Sequence, residues 1–92
     1  MMDCTFEQME ICFNFAITNN TDYIGVLIEM EGFNDAEVII NSRANIADKL
    51  EYYKKTYDEN LNHKFAKGIR ITGFTYGDSF AKIQSYLSTF NN

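Results

Sequence analysis

No proline interrupts this chain, and its five glycines are scattered, so a Pro- or Gly-rich linker is excluded and the sequence reads as one continuous folding unit. Histidine occurs once, at His63, which leaves catalytic His triads and His-rich zinc sites without partners. The two cysteines, Cys4 and Cys12, lack CxxC spacing and suit a reduced protein better than a disulfide scaffold. There is no GxGxxG or Walker-type loop, so no cofactor is expected; Gly68, Gly73 and Gly77 read as strand-boundary glycines. No pair of carboxylates is singled out for acid–base work, and the chain is read as non-enzymatic, without catalytic or metal-ligating residues. No apolar run approaches about 18 residues, so no membrane span is expected. The start, Met1-Met2-Asp3-Cys4, is acidic and lacks an apolar run of signal-peptide type, which makes the cytoplasm the expected location. Asn19-Asn20-Thr21 matches a glycosylation sequon, which has no meaning there.

Most telling is what the first half lacks. Residues 1–42 contain eight acids and no lysine or arginine, whereas residues 43–92 contain eight bases and five acids, which together give the net charge of −5. Such a split points to a partner of opposite charge, or to one half facing the other. Ten asparagines and ten isoleucines suggest an AT-rich coding sequence, as in a low-GC bacterium or its phage.

What is present is ample for a core. Apolar residues make up 46% of the 92, fourteen of them Phe or Tyr, so the expectation is one α+β domain over 1–92. Glu10–Thr18 alternates strictly, with Ile11, Phe13, Phe15 and Ile17 on one side, and reads as a strand. A competing helix runs through Phe6, Met9, Phe13 and Ala16, capped by Thr5-x-x-Gln8. Tyr23–Glu31 and Ala36–Ser42 read as second and third strands, joined by the turn Gly32-Phe33-Asn34-Asp35, completing an antiparallel meander. A long helix follows from an Asn45 cap, with Ile46, Leu50, Tyr53, Tyr57 and Leu61 as its buried stripe. Ile69–Tyr76 is a fourth strand; a bulge at Gly73 would bring Ile69, Ile71, Phe74 and Tyr76 onto one face. Asp78 or Ser79 caps a last helix with Phe80, Ile83, Leu87 and Phe90 inward. The expected order is β-β-β-α-β-α, a single sheet layer with helices packed on it.

Register then implies a surface. Setting Met30 and Ile28 opposite Val38 and Ile40 lines up Glu10, Glu31 and Glu37 across three strands. With Glu29 and Asp35 they form an acidic face suited to a basic protein surface, such as a nucleic-acid-binding site in which glutamates stand in for phosphates. Small acidic single-domain inhibitors, including those that phages make against host enzymes, share this profile; that likeness assigns no family. The alternative is a nucleic-acid patch of Tyr52, Lys54, Lys55, Lys64 and Lys67, set against the net negative charge. A structural homo-oligomer, acidic sheet against basic helix, is the third reading. His63 is expected to act as a cation near a helix end.

Overall fold

The computed structural model describes residues 4–33 and 36–89. The first segment is a helix, α1 (Phe6–Thr18), and not a strand. Extended Thr5 caps it, its hydroxyl accepting the Gln8 backbone N–H at 3.2 Å. Met9, Phe13 and Ala16 form the buried face. The alternating residues that suggested a strand divide between core and solvent: Phe13 is fully buried, while Ile11 is 49% and Phe15 53% exposed. Tertiary burial of one helical face therefore overrides β-branched and aromatic propensity. Asn20, at φ 53°, ends the helix, and the Thr21 N–H reaches back to the Ala16 carbonyl at 3.1 Å, a left-handed C-terminal cap.

The sheet has three strands: β1 (Tyr23–Met30), β2 (Glu37–Ser42) and β3 (Ile69–Gly77), in the order β2-β1-β3, all antiparallel. Leu27 faces Val38 and Gly25 faces Ile40, a register three residues away from the expected pairing of Met30 with Val38. The reason is that β1 is apolar on both faces. Ile24, Val26 and Ile28 join Ile71 and Phe74 in the main core, whereas Leu27 joins Val38, Ile40, Ile83 and Leu87 in a second cluster on the other side. A strand covered on both faces gives no alternation with which to fix its register. The expected bulge is present: the β1–β3 register shifts between Leu27 and Ile28, with Leu27 opposite Gly73 and Ile28 opposite Ile71, so that Thr72 is the extra residue.

A 3₁₀ turn, Arg43–Asn45, leads into α2 (Ile46–Thr56). Asn45 precedes α2 without a side-chain capping bond. The helix stops well before Leu61: Tyr57 is extended, and the Asp58 carboxylate accepts the backbone N–H groups of Asn60 and Asn62, each at 2.9 Å. That Asx-type turn diverts the chain, yet Tyr57 and Leu61 remain buried, now from a loop. Leu61 adopts φ 62° to do so. Helix α3 (Phe80–Ser88) has Ser79 as its cap, accepting the Lys82 N–H, and buries Ile83 and Leu87. Phe80 is instead 48% exposed, edge-on to Tyr23, and Phe90 lies outside the described residues.

Helices α1 and α2 thus cover one face of the sheet and α3 the other. In the main core Tyr53 meets Phe13 edge-on at 6.0 Å and Tyr57 at 5.6 Å. Burial pushes the Tyr53 phenol upward, and the Cys12 thiol up to about 11. No helix of the described residues is long and apolar enough to cross a membrane.

Candidate interaction surface

Hairpin β1–β2 carries most of the acids expected at the site. Glu29 lies just past the last β1–β2 pair, Ile28–Glu37, Glu31 opens the turn, and Glu37 begins β2; all three are exposed. Asp35 lies outside the described residues. The expected row across three strands does not form, because Glu10 sits on α1. There it pairs at 3.2 Å with Lys54 of α2. All three lie at the turn end of the hairpin, Glu29 and Glu37 on opposite faces of the sheet by their register. Phe33, within this turn, is 70% exposed. Its N–H bonds the Met30 carbonyl at 3.1 Å, and Gly32 supplies φ 90° between them.

The basic residues of the alternative patch are divided. Lys54 lies between Glu10 and Glu51, hydrogen bonds to which raise its pKa, so its charge is largely answered within the molecule. Half-exposed Tyr52 receives the Lys49 ammonium over its ring at 4.8 Å. Lys55 is exposed on α2, with Lys64 and Lys67 on the loop before β3. Phe65, between those two lysines, is 80% exposed. The Lys64 ammonium touches the Lys54 carbonyl at 3.4 Å, which joins loop to helix.

His63 holds this loop, in a role different from the cationic one expected. Its Nδ1 accepts the backbone N–H groups of Phe65 and Ala66, each at 3.0 Å, and its ring lies edge-on to Tyr57 at 5.1 Å.

The two charged ends meet. The Glu31 N–H donates to the Gly68 carbonyl at 2.7 Å, and Glu29 lies opposite Arg70 in the β1–β3 register. At Gly68, φ is +86°, and an added Cβ would stand 2.9 Å from both the Cβ and an Oε of Glu31. Gly68→Ala is therefore expected to cost ~1–2 kcal/mol, from the left-handed backbone and the crowding together. Gly32→Ala has the same backbone sign, with nothing within 4 Å, and isolates the conformational part at ~1 kcal/mol. Urea unfolding of both variants separates the two contributions.

Phe33 and Phe65 both had a readable signal: an aromatic inside a short polar turn flanked by charge of one sign, Glu31-Gly32-Phe33 and Lys64-Phe65-Ala66-Lys67. Such a residue has no core to enter. Among the described residues, no three His, Cys, Asp or Glu side chains are grouped to hold a metal ion. No protein-family profile, curated protein or solved structure matches the chain.

Proposed function

We propose that this protein is a non-enzymatic interaction module whose acidic hairpin end engages a basic protein surface. The observation that carries this reading is Phe33, 70% exposed in the turn that Glu31 opens, with Glu29 and Glu37 at the same end of the hairpin. An exposed aromatic supplies the buried anchor of an interface, and the surrounding carboxylates supply steering and orientation. Among the described residues, the ion pairs Arg43–Asp22 and Lys54–Glu10 join the acidic to the basic half, so part of the charge split is answered internally. Glu29, Glu31 and Glu37 are in none of the ion pairs among the described residues. Occupation of a nucleic-acid-binding site, with glutamates in place of phosphates, is the concrete form, as a phage or mobile-element inhibitor would use it.

The second reading rests on Phe65 with Lys64 and Lys67: one base stacked on the ring and phosphates on the lysines. One experiment distinguishes them. Wild type, Glu31→Lys/Phe33→Ala and Lys64→Glu/Phe65→Ala are used as bait in lysate at low and high salt, alongside titration with a single-stranded oligonucleotide. A basic protein captured at low salt by wild type, and bound at least tenfold more weakly by the first variant alone, supports the acidic hairpin. Salt-sensitive oligonucleotide binding lost in the second variant would replace that reading with the alternative.

A further inference from the structure

Strand β2 has β1 on one side and, among the described residues, no strand on the other. The direction of its free backbone groups follows from the ladder. The Arg43 N–H donates to the Asp22 carbonyl at 2.8 Å, so that pair is hydrogen-bonded, and alternation makes Ile24–Asn41, Val26–Ile39 and Ile28–Glu37 hydrogen-bonded as well. The N–H and C=O groups of Val38, Ile40 and Ser42 therefore point away from β1. The opposite edge of the sheet is in part closed, since the Ile71 N–H donates to the Leu61 carbonyl and the His63 N–H to the Ile69 carbonyl.

Edges of this kind are usually blunted by lysine, proline, a bulge or an inward charge. Strand β2, Glu-Val-Ile-Ile-Asn-Ser, has no lysine or proline, and its pairing with β1 is regular throughout. Val38, Ile39 and Ile40 are each only half-buried, two toward α3 and one toward the main core. The strand also carries opposite charges at its two ends. Exposed Glu37 opens it and exposed Arg43, which also pairs with Asp22 of its own copy, follows it, both on the parity that faces α1 and α2.

We infer that β2 pairs antiparallel with β2 of a second copy of this chain, closing a six-stranded sheet. A twofold axis at Ile40 sets Ile40 against Ile40 of the second copy and Val38 against its Ser42. Glu37 then falls opposite Arg43 of the second copy, and the same contact repeats across the axis. The edge is self-complementary in both hydrogen bonding and charge, as an isologous interface requires. This contact uses the side of the hairpin and takes up Glu37, whereas the basic-partner reading uses its end and keeps Glu29 and Glu31.

Ser42 offers a clean test. Its φ of −77° suits proline, its side chain makes no capping bond, and its N–H faces outward. Ser42→Pro keeps every bond within the monomer and removes two of the pairing bonds. By sedimentation equilibrium, wild type is expected to be dimeric, and Ser42→Pro monomeric at the same concentration with unchanged circular dichroism. Glu37→Arg, which sets like charges opposite one another, is expected to weaken the dimer at least tenfold. Hydrogen exchange of wild type should show the Val38, Ile40 and Ser42 amides slowing as concentration rises, while Ile39 and Asn41 do not change. A wild type that stays monomeric at millimolar concentration overturns the inference. So does a dimer that survives both substitutions, or one that leaves the three outward amides in fast exchange.

Discussion

Phe13→Ala is expected to destabilise the protein by ~3–5 kcal/mol, and Phe15→Ala to leave its stability within about 0.5 kcal/mol. The two phenylalanines are two residues apart in one helix. Phe13 is fully buried and edge-on to Tyr53 at 6.0 Å, whereas Phe15 is 53% exposed. Truncating a buried Phe costs ~3–5 kcal/mol, from lost transfer energy and from the cavity left behind. A domain of this size has ~5–10 kcal/mol in total, so the loss takes roughly a third or more of its stability. The pair also tests the element itself. In a strand, Phe13 and Phe15 would share a face and their alanine variants would cost similar amounts. Guanidinium unfolding of both variants decides it, and equal losses would refute helix α1.

The second large effect comes from Gly25, at the centre of the sheet, where α3 lies closest. A Cβ there would stand 2.6 Å from Ile83 Cγ2 and 2.9 Å from Leu87 Cδ1. Intrinsic preference argues for a gain from Gly25→Val, since β-branched residues favour strands by up to ~1 kcal/mol. Overpacking argues for a loss of ~1–3 kcal/mol, and at 2.6 Å the helix must move, so the loss wins. Expected is a net destabilisation of about 2 kcal/mol, with α3 amides exchanging faster than those of α1. Ile83→Ala in the same chain relieves the crowding, and the two costs should fall short of additive by more than 1 kcal/mol in a double-mutant cycle. Strict additivity would mean that α3 does not press on Gly25.

How far the sequence carried these conclusions depended on how local each determinant was. The β1–β2 hairpin, the Ser79 cap and the bulge beside Gly73 were all legible, because a turn, a cap or a bulge is written within a few residues. Ile46, Leu50 and Tyr53 were read as one helical stripe for the same reason. The α1 segment was misread because its alternating apolar residues include two kinds. Phe13 enters the core, whereas Ile11, Phe15 and Ile17 stay at the surface, and hydrophobicity does not record that difference. Register failed on Leu27, which looks like an outward residue until α3 is placed behind it. At the candidate site, the placement of Glu29, Glu31 and Glu37 at one end of a hairpin was readable from the turn between the strands. Glu10 was not, because its neighbour Lys54 is 44 positions away and only the packing of α1 on α2 joins them.

The strand order β2-β1-β3 also has a consequence in time. The middle strand of the sheet is the first to be synthesised, and its second neighbour, β3, begins only at Ile69. At ~5–20 residues per second, a nascent chain waits roughly 2–10 s between β1 and β3. Hairpin formation takes microseconds, so for the last ~1–5 s of that interval, after Ser42, β1 and β2 can pair while both outer edges are bare. Helix α3, which covers Leu27, arrives later still. Until then Leu27 has no helix of this chain to cover it, so exposure of apolar surface during synthesis is expected to be greatest there.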